Sequence, residues 1–267
     1  MGPPVFLIKI KGLKIMTKII MSGINGRMGR AIEEMCKNSD LYEIVCGIDV
    51  NLGVPHAFPT VSGVDELDVK ADVIVDFSHH SASKSLCDYA VKTGTPVVLC
   101  TTGYTEEEIE YINKASEKVA LFRSGNMSVG INLLIELAKK AASVLSDFDC
   151  EIIEMHHNQK LDAPSGTALM IADGIKKVRE DSEYVYDRTQ YRKKREQNEI
   201  GIHAVRAGSI VGEHEVIFGG RNENITLRHC ALSREVFAEG ALKAAAFLKG
   251  KSAGMYNMSD MLSEILN

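Results

Sequence analysis

The seven residues Gly23-Ile24-Asn25-Gly26-Arg27-Met28-Gly29 constrain this chain more than any other stretch. They form a G-x-x-G-x-x-G loop between residues 18–22, a run of strand character, and residues 27–36, which carry helical spacing. Glycines admit a tight turn and the close approach of another backbone. The helix that follows offers free N–H groups and a partial positive charge to an anion. Strand, glycine loop and helix in that order begin a dinucleotide-binding unit. The rhythm continues through residues 43–48, 73–77, 96–99 and 119–122, which read as strands, and through 81–91 and 105–116, which read as helices. Thr105 with Glu108 three residues on is a capping box. Strands and helices alternating at this pace predict a Rossmann-like α/β domain, a parallel sheet covered on both faces.

Asp49 ends the second strand, twenty residues after Gly29. A carboxylate there takes the adenosine ribose hydroxyls in such folds and repels a 2′-phosphate. Val50 and Asn51 supply no cation, so the residues favour NADH over NADPH, with Arg27 the one nearby group able to reach a phosphate. In a doubly wound sheet the ends of three further strands face the same rim: Phe77-Ser78, Cys100-Thr101-Thr102-Gly103 and Ser124-Gly125-Asn126-Met127.

From about residue 126 the character changes. Residues 132–145 read as a long helix, 150–155 as a strand, 167–178 as a helix, and 180–200 as a mobile polar loop. Residues 202–205, 215–218 and 225–229 are strand-like and suggest antiparallel pairing, and 234–248 and 259–266 are helical. This pattern predicts a smaller α+β domain. Within it, His156-His157, Lys160, Asp162 and Pro164-Ser165-Gly166-Thr167 fall in one dozen residues. A positioned imidazole acts as a general acid near neutral pH, and an ammonium binds a carboxylate or donates a proton. Pro164 and Ser165 open a helix whose free N–H groups make a second anion site. Adjacent histidines lack the i, i+4 spacing of a helical metal site, and Ala-Pro-Ser-Gly-Thr is not a nucleophile elbow, so neither a metal centre nor a Ser165 nucleophile is expected.

Composition limits the partners. The 267 residues are 45% hydrophobic and carry a net charge of −5, which gives no electrostatic footprint for bulk nucleic-acid binding. The basic run 188–195 is followed by Glu196 and Glu199 and reads as a solvated loop. Six cysteines without C-x-x-C spacing read as reduced thiols of a cytoplasmic protein. Val5-Phe6-Leu7-Ile8 is too short to span a bilayer, and its lysines follow the apolar run, the wrong order for a secretory signal. Residues 1–15 are therefore expected to be an extension outside the fold.

The stretch from Glu154 to Ala168 resembles the signature E-x-H-H-x-x-K-x-D-A-P-S-G-T-A of the 4-hydroxy-tetrahydrodipicolinate reductase (dihydrodipicolinate reductase) family of diaminopimelate and lysine biosynthesis. The glycine loop, Asn126-Met127-Ser128-Val129-Gly130-Ile131-Asn132, and Val205-Arg206-Ala207-Gly208 with Val211-Gly212-Glu213-His214 resemble it too. The resemblance implies an NAD(P)H-dependent reductase acting on a small cyclic dicarboxylate, assembled as a homotetramer. It implies a dinucleotide-binding domain over 16–126, completed by 235–267, and a substrate-binding and tetramerisation domain over 127–234. His156 would donate and accept a proton and Lys160 donate one. His157 and the Ser165-Gly166-Thr167 helix start would hold the carboxylates, with Arg234 as a further anion-binding residue. Gly23, Ile24, Asn25, Gly26, Arg27, Met28, Asp49, Cys100, Thr101, Thr102, Ser124, Gly125, Asn126 and Met127 would contact the dinucleotide. Cys100 stands where the family usually has Gly, and Met127 where Phe is common.

Overall fold

The computed structural model describes residues 16–266. The N-terminal extension expected over 1–15 lies outside the described residues. Chain order begins with β1 (Thr17–Ser22), α1 (Arg27–Lys37), β2 (Tyr42–Ile48), β3 (Thr60–Val61), β4 (Val73–Asp76), α2 (Ser83–Thr93), β5 (Val97–Leu99), α3 (Glu106–Ser116) and β6 (Ala120–Arg123). It continues with α4 (Val129–Val144), β7 (Asp149–His156), α5 (Gly166–Lys176), β8 (Glu183–Val185), β9 (Glu199–Arg206), β10 (Gly212–Gly219) and β11 (Asn224–Ala231). The chain closes with α6 (Glu235–Leu248), β12 (Gly254–Tyr256) and α7 (Met258–Leu266). Two compact units result, one holding the residues up to Ser124 and from Ala238 onward, the other Gly125–Phe237.

The first unit is built on a seven-stranded sheet of order β12-β6-β5-β4-β1-β2-β3, parallel throughout. Strands β4 and β5 are buried at every position, as a sheet covered on both faces requires. Ile20, Ile74, Leu86, Val97, Leu99, Ile112 and Leu121 form a core between that sheet and the helices. Thr105 accepts from the Glu108 N–H and Glu108 reaches back to the Thr105 N–H, so the capping box predicted from sequence forms. Strands β3 and β12 were not expected, being two and three residues long.

In the second unit the strand order is β11-β10-β7-β9-β8. The pairing is mixed rather than antiparallel: β10 runs antiparallel to β7 and β11, while β9 runs parallel to both β7 and β8. Helices α4 and α5 cover one face, where Ile131, Leu134, Ile152, Ile171, Ile175, Val216 and Phe218 pack. Alternate residues of β7 are buried, so Cys150, Ile152, Glu154 and His156 share the covered face.

The loop expected to be mobile and solvated is instead tied down. Residues 183–185 form β8, and Arg195 is held to the end of β7. Its Nε donates to Glu151 Oε1 at 3.0 Å, Nη1 to Asp149 Oδ1 at 2.9 Å, and Nη2 to the carbonyls of Cys150, at 3.0 Å, and Glu199. Arg188 Nη1 donates to the buried Glu199 carboxylate at 2.6 Å. The run is basic because acidic strand residues face it, which spacing alone does not reveal. Arg195→Ala leaves these acceptors without their donor, so it should cost about 2–4 kcal/mol of stability. Urea unfolding checks this, and trypsin should then cut first within residues 186–198.

Candidate active site

The predicted site residues fall in both units: the glycine loop, Asp49, Cys100, Thr101, Thr102 and Ser124 in the first, and Gly125, Asn126 and Met127 with the His156, Lys160 and Ser165 group in the second. In the first, Gly23 has φ +79, and a Cβ there would lie 2.7 Å from the Phe77 carbonyl oxygen. A Cβ on Gly29 would collide with the carbonyl oxygens of Gly23 and Ile24. The loop is thus wound against α1 as tightly as bare backbone allows. Gly26 is the N-cap of α1, and no side chain caps it, so the first-turn N–H groups remain available to an anion. Asp49 stands at the end of β2: its Oδ2 accepts from the Asn25 N–H and its Oδ1 from the Asn51 N–H, both at 2.9 Å. Ile24 is buried, Met28 half-buried and Arg27 exposed.

At the carboxyl ends of β4 and β5 a groove of about 230 Å³ is lined by Phe77, Ser78, His79, His80, Cys100, Thr101 and Thr102. Buried Asp76 knits its floor: it accepts from the hydroxyls of Ser22 at 2.8 Å, Ser78 at 2.5 Å and Thr101 at 2.7 Å. Burial pushes the Cys100 thiol well up, so it stays protonated and unreactive. His79 and His80 were not singled out from sequence. A glycine cradle, an uncapped helix start and a carboxylate at the second strand end fit a dinucleotide, whose pyrophosphate and ribose need those groups.

The second unit gathers charge around Glu154, which is completely buried. His156 Nδ1 lies 2.6 Å from Glu154 Oε2. Arg206 clamps the carboxylate with two bonds, Nη1 to Oε2 at 2.8 Å and Nη2 to Oε1 at 2.7 Å, and the Ser165 N–H donates to Oε1 at 3.0 Å. Burial alone would raise the Glu154 pKa, but these donors outweigh it and hold it at about 2. An ionised Glu154 accepts, so His156 carries its proton on Nδ1 and leaves Nε2 as its working atom.

Neighbouring groups complete the site. Ser165 Oγ accepts from the Ala168 N–H at 3.1 Å, capping α5, and also lies 3.1 Å from His214 Nε2. The N–H and hydroxyl of Ser165 are therefore both engaged within the protein, while Gly166 is exposed and Thr167 half-exposed. Thr167 Oγ1 accepts from Asn126 Nδ2 at 3.0 Å. Gly125 is exposed, Met127 is buried, and Ser124 is half-buried in the first unit. His157 follows β7 and is half-buried, so the chain turns where the two histidines meet. Lys160 Nζ pairs with Asp162 Oδ1 at 2.8 Å rather than joining the Glu154 cluster, and that ammonium holds the Asp162 carboxyl below its ordinary range. The Arg234 side chain is exposed and takes no part in the cluster. Among the described residues no group of His, Cys, Asp and Glu could hold a metal ion, and no helix is long and apolar enough to cross a membrane.

Sequence reasoning gave no role to Glu154, Arg206 or His214. The i, i+2 spacing of Glu154 and His156 on a strand was a usable signal that they share a face. For Arg206 and His214 the signal lay only in strand pairing.

A parallel α/β unit with a glycine cradle, and a second unit holding a buried carboxylate–histidine pair, fit an oxidoreductase that works with a nicotinamide dinucleotide. Family models described as dihydrodipicolinate reductase N-terminus and C-terminus match residues 17–127 and 130–262. The chain belongs to the dihydrodipicolinate reductase family, whose curated members are named 4-hydroxy-tetrahydrodipicolinate reductase. It is 52% identical over 251 residues to the member from Caldanaerobacter subterraneus subsp. tengcongensis, covering 94% of this chain and all of that one. It is 51% identical to the Clostridium tetani member over 93% of this chain and 98% of that one. A solved dihydrodipicolinate reductase from Paenisporosarcina sp. TG-14, with dipicolinate bound, superposes with TM-score 0.78 at 26% identity, over 91% of this chain and 98% of that one.

Burial, reinforced by the neighbouring His156, pushes the His214 pKa from 6.5 down to about 3. Below the unfolded value the unfolded chain takes up a proton that folded His214 refuses, so stability is lost as the pH falls from about 6.5 towards about 3. The contribution approaches about 1.4 kcal/mol per pH unit. Urea unfolding at pH 7, 6 and 5 should show a shallower loss in His214→Gln than in the native chain. This range lies above the one in which Glu154 titrates.

Proposed function

We propose that this protein reduces 4-hydroxy-2,3,4,5-tetrahydrodipicolinate to tetrahydrodipicolinate, a step of diaminopimelate and lysine biosynthesis, using NADH in preference to NADPH. One hydride and one proton are added and one water is lost. The observation that carries the reading is the buried Glu154–His156 pair at 2.6 Å, which leaves Nε2 as the one ring nitrogen able to deliver a proton. The bound dicarboxylate of the Paenisporosarcina relative supports the same substrate class here.

When bound, the dinucleotide supplies the hydride. Gly23, Ile24, Asn25, Gly26, Arg27 and Met28 cradle its pyrophosphate. Asp49 takes the ribose hydroxyls on lone pairs that the Asn25 and Asn51 amides leave free. Cys100, Thr101, Thr102, Ser124, Gly125, Asn126 and Met127 contact the rest. His157, the exposed helix start at Gly166 and Thr167, and Arg234 hold the substrate carboxylates, and Ser165 builds that start. Reduction of the conjugated ring leaves negative charge, which Nε2 of His156 quenches with a proton while Lys160 donates a second hydrogen bond or proton. The dinucleotide domain covers 16–126 with 235–267, and the substrate domain 127–234.

We also read the protein as a cytoplasmic homotetramer. Supporting the tetramer is the face of the second sheet that none of the described helices covers. There Ile153, Met155 and Ile217 are only half-buried and Val205 is 40% exposed, interspersed with Glu213, Glu215 and Arg228, a mixed apolar and charged surface suited to a second copy. Light scattering after gel filtration should give four copies.

His156→Gln should lower kcat about 10²–10⁴-fold while NADH affinity stays near its native value. The assay follows NADH loss, with substrate freshly made by the aldolase that condenses pyruvate with aspartate semialdehyde. Native turnover in that variant would sink the assignment. In the same assay kcat/KM for NADH should exceed that for NADPH. Asp49→Asn, which keeps an acceptor for the Asn25 N–H but loses the charge, should narrow that gap.

A further inference from the structure

Strand β10 carries two residues with no role so far, Gly212 and His214, and both bear on the ring of His156. His214 pairs with Glu154 across β10 and β7. Gly212 stands two residues earlier, under the imidazole: a Cβ there would come 3.1 Å from Nε2 and 3.4 Å from Cδ2 of His156. Gly212 is not among the glycines with positive φ, so its backbone does not demand glycine, and only the space above it does. The ring above cannot give way cheaply. Its Nδ1 is held by Glu154 at 2.6 Å, and that carboxylate is in turn fixed by Arg206 and the Ser165 N–H.

His214 closes another side of the slot. Its ring stands edge-on to that of His156, with centroids 5.2 Å apart and planes at 75°. His214 is 4% exposed, and its Nδ1 is buried with no partner among the described residues. A buried N–H without an acceptor costs more than an idle lone pair, so the proton belongs on Nε2, where it donates to Ser165 Oγ. A neutral His214 adds no second positive charge beside an imidazolium at His156.

We propose that Gly212 and His214 are positioning residues for the His156 proton donor: Gly212 leaves the slot in which the ring lies, and His214 walls that slot and ties it to the start of α5. The proposal rests on the reading of His156 as the acid. Two links then join acid and helix start, Glu154 to the Ser165 N–H and His214 to the Ser165 hydroxyl. A shift at one end displaces the other.

The test uses the full chain labelled with ¹⁵N-histidine and two readouts, imidazole NMR and steady-state kinetics across pH. In the native protein neutral His156 should appear as a single Nδ1–H tautomer. In Gly212→Ala that signature should be lost or split, and kcat should fall about 10–100-fold with KM changed less than about threefold and the pH–rate profile displaced. His214→Leu should lower kcat and raise KM together. His214→Gln, whose amide nitrogen can still donate to Ser165, should recover most of both. If Gly212→Ala does not fold, the His214 pair carries the test with the same readouts. A folded Gly212→Ala with native His156 resonances and native kcat overturns the role of Gly212. Equal loss in His214→Leu and His214→Gln overturns that of His214. If the tautomer is present and disturbed by Gly212→Ala in a protein that never reduces the substrate, the positioning stands and the assigned reaction falls.

Discussion

The Glu154 carboxylate is fully removed from water, and the second unit is arranged around keeping it charged there. A buried carboxylate is tolerated only when its lone pairs are filled by good donors. Here one donor set comes from β7 itself through His156, another from β9 through Arg206, and a third from the start of α5 through the Ser165 N–H. Three elements distant in sequence are therefore held to one point. The cost of leaving Glu154 unpaired is what fixes their relative positions. The parallel alignment of β9 beside β7 serves the same end, because it brings Arg206 opposite His156 in register.

The first unit meets a related demand with a smaller device. Asp76, 1% exposed at the end of β4, gathers hydroxyls from Ser22 on β1, from Ser78 and from Thr101 after β5. Strand ends in a parallel sheet would otherwise diverge into independent loops. One carboxylate bonded to hydroxyls from three of them gives a floor of fixed shape. In both units an acid at the carboxyl end of a strand organises a site without itself facing the ligand.

How far these features could be read in the sequence depended on their range. The glycine loop, the capping box at Thr105 and Glu108, and the alternation of strand and helix are local, and periodicity showed them. A parallel sheet covered on both faces was implied by that rhythm, though not its strand order, nor β3 and β12, whose few residues carry no pattern. The mixed pairing of the second sheet was not legible, since parallel β7 and β9 are joined through a helix and a long loop, and nothing local distinguishes them from hairpin partners. Arg195 shows the limit most clearly. Its neighbours in sequence are charged and suggest solvent, whereas its acceptors lie some forty-five residues away on β7. Among the candidate site residues, spacing marked His156, Lys160 and the Ser165 start. The partners that orient His156 needed strand register, which only the fold supplies.

The start of α1 is left open by the protein itself. Among the described helices, Thr105, Ser128 and Ser165 cap α3, α4 and α5, and Ser233 and Asn257 serve α6 and α7, while α2 has no side-chain cap of its own but continues from a turn that His79 caps. Helix α1 has only Gly26. A glycine N-cap gives up only about a few tenths of a kcal/mol against Ser or Asp, and an anion from solution can partner the N–H groups it leaves open. Ligand supply thereby enters the folding equilibrium, adding about 2.7 kcal/mol at a concentration a hundredfold above the dissociation constant. A cell depleted of dinucleotide would hold an enzyme that is not merely idle but shorter-lived, its abundance following the redox pool that it draws upon.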